Sequence, residues 1–391
     1  MASSMAQPTV DSFDLLLHTP NADGVLSRYY QQAFSNAVEL FIVTAYLTEW
    51  DYLLRLNPNC RSFRVIIGKD FGITRKAACE RLLGWLPPER KGQFMVADQI
   101  AGFHPKAVFW KENNGNCFAL VGSSNLTRAA FETNFEANIF CLISKATYGE
   151  AKKWVKQIEK QSVPVSEDWL KKYKEASIRP GDKGAPAPPV AVLKLPYPRG
   201  MKQLVANRRK QLAAYAKQEA QLINLFHRCA NRDISSKQFY QQLPTFWSDQ
   251  AGDRLQGAGW ERQGKESDFR ALCQSFLKIL HTPNEYRDDA VAQEIDKLKK
   301  QGVAARGAFL SEMLCLKFPE EYPVLNRPVM EFLKDIQFRA TRGATEGVRY
   351  IGLAQKLRNS LLQYPGYPAK NLAELDTIIW LAYGKKSNSS R

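Results

Sequence analysis

The chain has 391 residues, 45% hydrophobic and 11% aromatic, with 55 Lys and Arg against 39 Asp and Glu, a formal net charge of +16. That length can bury a substantial core and favours two domains, and the composition excludes a fibrous or disordered chain. The charge favours a polyanionic partner and is unevenly placed: residues 1–160 carry 18 Lys and Arg against 15 Asp and Glu, net +3, which leaves 37 against 24, net +13, for the remainder.

The cysteines Cys60, Cys79, Cys117, Cys141, Cys229, Cys273 and Cys315 form no Cys-x-x-Cys pair and no cluster with zinc spacing. A reducing compartment fits, and no metal or cofactor site is expected. Met1 to Pro8 lacks the basic start and apolar core of a signal peptide, and the longest apolar run, near Val38 to Leu47, is too short to span a bilayer. A cytoplasmic protein with no membrane partner is the expectation.

In chain order, residues 38–46 and 63–68 are β-branched and aromatic runs that read as strands, the second followed by a helical pattern over 75–86. Strand-like segments follow at 93–97, 107–110, 117–121 and 137–143, with Asn113-Asn114-Gly115-Asn116 supplying turn chemistry. Pro180, Gly181, Gly184, Pro186, Pro188, Pro189, Pro196 and Pro198 then crowd a linker. Beyond it Leu212, Tyr215, Ala216, Leu222, Ile223 and Phe226 recur at helical spacing. Further helices are predicted over 308–316, from Pro328 through Ile336, and over 372–383, the last stopping at Gly384 with Lys385 and Lys386 at its negative end. The tail from Lys386 to Arg391 reads as disordered. The expected domains are 1–175 (α/β), 176–200 (linker) and 201–391 (basic and mainly helical, binding substrate or a partner).

One constellation carries chemistry: His104-Pro105-Lys106, then Gly122-Ser123-Ser124-Asn125, then Asn134 and Glu136. Imidazole titrates near neutrality and can attack phosphorus, while a lysine and an amide hold phosphoryl oxygens. If His104 and Lys106 lie in a strand, alternation puts them on one face. Gly122 would let the backbone approach a phosphate, with Ser123, Ser124 and Asn125 beside it and a helical turn opening over 126–131, which Asn125 could also cap. Glu136 can hydrogen-bond an imidazole and fix its tautomer. Against these stand plainer readings: a structural histidine, and capping or packing for Ser124 and Thr127.

These residues resemble the phospholipase D superfamily, whose signature is H-x-K, then G-S-x-N, then often an acidic residue on the next strand. The match covers about residues 35–145 and is closest to the metal-independent restriction-endonuclease branch. The resemblance implies an α/β domain with a mixed sheet flanked by helices. It implies catalytic roles for His104, Lys106, Asn125 and Glu136, with Gly122, Ser123 and Ser124 at the substrate. One departure is that Lys111 stands where the common pattern has aspartate, followed by Glu112; the branch's habit favours Glu136 over Glu112 as the orienting carboxylate. The superfamily uses two motifs per site, and His18, His227 and His281 lie in no H-x-K context. A homodimer sharing one site is therefore implied, with attack through a phosphohistidine and no metal.

The function expected is cleavage of DNA, or of RNA, by an endonuclease of restriction or defence type, with room for a further defence-system subunit. The rivals are a phospholipid-hydrolysing relative and a non-catalytic nucleic-acid-binding protein. In the second domain Arg208-Arg209-Lys210 and Lys297, Lys299 and Lys300 are basic clusters better read as solvated helix faces. Phe239, Tyr240, Trp247 and Trp260 are better read as core than as base-stacking residues.

Overall fold

The computed structural model describes residues 13–20, 24–51, 53–176, 192–257 and 261–384. Met1 to Pro8, most of the Pro/Gly-rich linker, Trp260, Lys385 and the tail from Lys386 lie outside them. The chain divides into two compact units, the first made of Met1–Val165 and Trp169–Val190, the second of Ser166–Asp168 and Ala191–Arg391.

The first unit runs β1 (Phe13–His18), α1 (Val25–Asn36), β2 (Ala37–Thr44), β3 (Ser62–Ile67), α2 (Lys76–Trp85), β4 (Phe94–Val96), β5 (Lys106–Glu112), β6 (Cys117–Gly122), α3 (Arg128–Glu132), β7 (Glu136–Ile143), α4 (Lys145–Lys160) and β8 (Val163–Pro164). They form one mixed sheet in the order β1-β7-β6-β5-β2-β3-β4-β8. β3 is parallel to both β2 and β4, and the other neighbours are antiparallel. β3 is buried along its whole length, as a central strand with both faces covered must be.

Helix α4, capped by the Ser144 hydroxyl on Thr147 N–H, lays Tyr148, Val155 and Ile158 against Phe41, Val43, Ile66 and Met95. On the opposite face Trp110, Phe118 and Phe140 stack, and Tyr29 of α1 lies 4.4 Å from Phe140. Both layers grip the sheet, so its register is fixed. Register then does the positioning: Thr44 pairs with Lys106, Gly122 with Asn138, and His18 with Glu136. One end of the sheet gathers residues that are distant in sequence.

The second unit is mainly helical, with helices Met201–Ala230, Ser236–Phe246, Phe269–His281, Asn284–Lys300, Ala308–Lys317, Arg327–Asp335, Glu346–Gln363 and Leu372–Tyr383. Fold class thus agrees with expectation in both halves. Tyr215, Leu222 and Phe226 of the predicted stripe are buried, and Phe226 meets Phe239, Phe276 and Phe309 at ring separations of 5.2, 4.8 and 6.1 Å. Phe239 and Trp247 belong to this core and are not surfaces for bases.

Of the two basic clusters only Arg208 departs from the solvated face expected; Arg209, Lys210, Lys297, Lys299 and Lys300 are exposed. Arg208 is buried and donates from Nη2 to Asp376 Oδ2 and Leu255 O, each at 3.1 Å, while Arg209 pairs with Glu374 at 2.7 Å. Lys297 and Lys299 pair with Glu294 and Glu346 at 3.0 and 3.5 Å. Glu294 stands one helical turn from Lys297, whereas Asp376 stands 168 residues from Arg208, beyond any local pattern. Arg208→Ala would strand the buried Asp376 carboxylate, which keeps only the Asn326 amide at 2.7 Å. The variant should lose about 3–5 kcal/mol of stability, read as a lowered urea midpoint.

Candidate active site

Lys106 is the first residue of β5, and His104 stands in the loop before it, so strand alternation does not align the two. Tertiary contacts do. Asp70, buried beneath that loop, accepts from Gly102 N–H at 2.7 Å and Phe103 N–H at 3.2 Å, and Gly102 takes the positive φ of 69° that the turn requires. Lys106 Nζ then lies 2.9 Å from His104 Nδ1 and 3.3 Å from Nε2, and donates to His104 O at 3.0 Å. The Tyr46 ring meets the imidazole edge-on at 5.8 Å.

Desolvation, reinforced by the Lys106 charge, pulls the His104 imidazole below its ordinary pKa. Desolvation also lowers Lys106, against the attraction of Glu136. A neutral imidazole beside an ammonium is the state in which nitrogen can attack an anion that the ammonium attracts.

Asn125 is tied to the end of β2. Its Oδ1 accepts from Tyr46 N–H and Thr44 Oγ1–H, each at 3.2 Å, and Leu126 N–H donates to Thr44 Oγ1 at 3.2 Å. With its oxygen committed to the protein, the amide nitrogen is the group that can donate to a ligand. Asn125 caps no helix: α3 begins at Arg128, and Thr127 caps it by accepting from Ala130 N–H.

The Gly122-Ser123-Ser124 segment behaves differently from the cradle expected. A Cβ on Gly122 would sit 2.3 Å from Ala137 O and 2.4 Å from Asn138 Oδ1, so glycine is required there by packing against β7. Ser124 is buried, and its hydroxyl accepts from Asn138 Nδ2 at 2.8 Å. That contact commits the hydroxyl to packing against β7. Ser123 is exposed, donates its hydroxyl to Glu136 Oε2 and accepts from Ala137 N–H at 3.0 Å.

Glu136 opens β7 and also accepts from Asn134 Nδ2 at 3.1 Å. Its carboxylate makes no hydrogen bond to His104 of the same chain; it acts on Lys106 through charge. Glu112 lies at the other end of β5, about 20 Å along the strand from Lys106, and meets Gln32 and Asn36 of α1. It cannot orient His104. Thr44, Tyr46 and Asp70 carried no sequence signal, since each works through a contact tens of residues away.

The lowered His104 pKa has a consequence for rate. If one imidazole must be neutral and a second protonated, kcat/KM should trace a bell whose maximum lies below pH 6.5 and whose alkaline limb falls as the acid loses its proton. Initial rates in chelator between pH 4.5 and 9 would measure it, and a maximum above pH 7.5 would contradict it.

Residues 25–169 match the model of the NgoFVII restriction endonuclease N-terminal PLD domain. Among solved structures, NucT from Helicobacter pylori aligns at 17% identity, covering 39% of this chain and 100% of that one, with a TM-score of 0.28. Nuc from Salmonella typhimurium, a phospholipase D family member, aligns at 15% identity over 39% of this chain and 97% of that one, with a TM-score of 0.26. No curated protein matches the chain. Residues 25–169, which hold His104-x-Lys106 and Asn125 at one end of a mixed sheet, are thus similar to the phospholipase D-type domain of the NgoFVII restriction endonuclease.

Proposed function

We propose that the protein is a metal-independent DNA endonuclease of restriction or defence type, working as a homodimer through a phosphohistidine. The observation that carries this reading is the His104–Lys106 pair at 2.9 Å, with the ring's pKa lowered and Asn125 fastened beside Tyr46. A phosphodiester entering the site competes for the Lys106 ammonium and frees the imidazole. His104 of one protomer forms the N–P bond as the P–O bond to the leaving strand breaks, and His104 of the partner subunit gives that oxygen a proton. The partner's imidazole, now neutral, deprotonates a water that attacks phosphorus and releases His104. Lys106 and Asn125 hold the phosphoryl oxygens throughout.

A single H-x-K per chain requires the second copy, and the sheet offers a surface for it. Phe13, Leu15 and Leu17 of the edge strand β1 share a face with Ile139 and Val121, and all five are large, apolar and exposed. The strip lies on the opposite face of the sheet from Gly122, Glu136 and His18, and reaches the same strand ends that carry them. An apolar patch of this kind marks an interaction surface.

Residues 191–391 carry 32 Lys and Arg against 20 Asp and Glu, net +12, which suits them to a DNA backbone. Plasmid DNA incubated in excess EDTA tests the function. Cleavage at an undiminished rate is expected; complete loss on chelation would contradict the scheme, and turnover of phosphatidylcholine faster than DNA would replace it with the lipid reading.

A further inference from the structure

His18 ends β1 directly opposite Glu136 in the antiparallel ladder, so the two side chains leave the same face of the sheet. Its ring is only 5% exposed, yet neither Nδ1 nor Nε2 has a hydrogen-bond partner among the described residues. A buried imidazole with both nitrogens unmet costs free energy that an apolar residue would not, so it calls for a role in another state of the site.

Glu136 supplies that role. Its Oε2 accepts the Ser123 hydroxyl, which has one proton, and its Oε1 accepts from Asn134. Ser123 can donate to Glu136 or to a phosphoryl oxygen, and not to both. On the nuclease reading of the site, a phosphate beside Lys106 draws that proton away and leaves a carboxylate oxygen unmet.

We propose that His18 is a positioning residue for Glu136: its ring N–H takes the carboxylate oxygen that Ser123 gives up when phosphate binds. Glu136 then keeps its place beside the Lys106 ammonium through the reaction. Ser123 becomes a two-position donor, and His18 the reserve that makes its switch tolerable.

A double-mutant cycle tests this, because a residue that only packs would act independently of Glu136. Single-turnover rates and KM are measured in EDTA for wild type, H18F, E136Q and H18F/E136Q, with H18Q restoring one N–H donor. H18F should slow the reaction about tenfold with KM changed less than threefold, H18Q should recover most of the rate, and H18F should add nothing in the E136Q background. A folded H18F with the wild-type rate, or an equal loss with and without Glu136, would overturn the proposal.

If H18F does not fold, ¹⁵N spectra of histidine-labelled wild-type protein titrated with inorganic phosphate give the second readout. A hydrogen-bond shift at the His18 ring is expected, and no change at saturating phosphate would overturn the proposal. Failure of the nuclease reading looks different: wild-type protein that cleaves nothing, or H104A that cleaves normally.

Discussion

Replacing His104 by alanine is expected to reduce DNA cleavage by about ten-thousandfold while DNA binding changes little. In the scheme proposed, the imidazole supplies the nucleophile in one half of a shared site and the proton donor in the other, so one substitution would remove both functions from a dimer. Losses of this size accompany deletion of a nucleophile elsewhere, and they are not additive with loss of its partners. Lys106→Ala in the same background should therefore cost little more. Mixed dimers sharpen the expectation: a wild-type and H104A pair has one imidazole, which can attack or donate but cannot do both. Its activity should lie near that of the H104A homodimer. Half the wild-type rate from a population of pure heterodimers would mean that each subunit acts alone. The exposed, loop-borne position of His104 makes a folding explanation easy to test by thermal unfolding.

Aspartate at both Leu15 and Ile139 should separate the dimer and abolish cleavage together. The two residues pair across β1 and β7, at 58% and 45% exposure, so charging them leaves the core of the first unit untouched. Each aspartate buried in an apolar contact costs roughly 2 kcal/mol, and a two-fold interface buries the pair from both subunits, about 8 kcal/mol in all, which is on the order of a millionfold in Kd. Sedimentation at micromolar concentration would show monomer, and activity should return only at concentrations that restore the dimer. A double variant that remains dimeric would move the interface elsewhere on the domain. A monomer with full activity would remove the requirement for a second His104.

The chemistry of this site was legible in the sequence because it is local: H-x-K and G-S-x-N name their residues within a few positions. The centre of the sheet that positions them was legible from a β-branched run buried on both faces, β3. What escaped were the contacts that only a folded sheet makes. Asn125 looked like a helix cap and is held by Thr44 and Tyr46, about eighty residues earlier. Gly122 looked like a phosphate cradle and is fixed by the backbone and side chain of β7. Ser124 carries a packing reading in the sequence, and the fold turns it inward to Asn138 while Ser123 stays exposed. β1 was missed because Phe13, Leu15 and Leu17 are exposed along an edge, with no alternation of polar and apolar residues to mark them. With it went His18. In the second unit, Arg208 read as a surface charge because Asp376, its buried partner, stands far along the chain.

The most direct test of the account is to trap the covalent step. Labelled DNA is mixed with excess protein in EDTA, quenched in alkali, which preserves a phosphohistidine, and digested for peptide mass analysis. The account predicts a nucleotide-bearing phosphoryl group on the peptide holding His104, formed and lost on the time course of cleavage and absent from H104A. Cleavage that proceeds at the wild-type rate with no adduct on His104, or with the adduct on another residue, would contradict it.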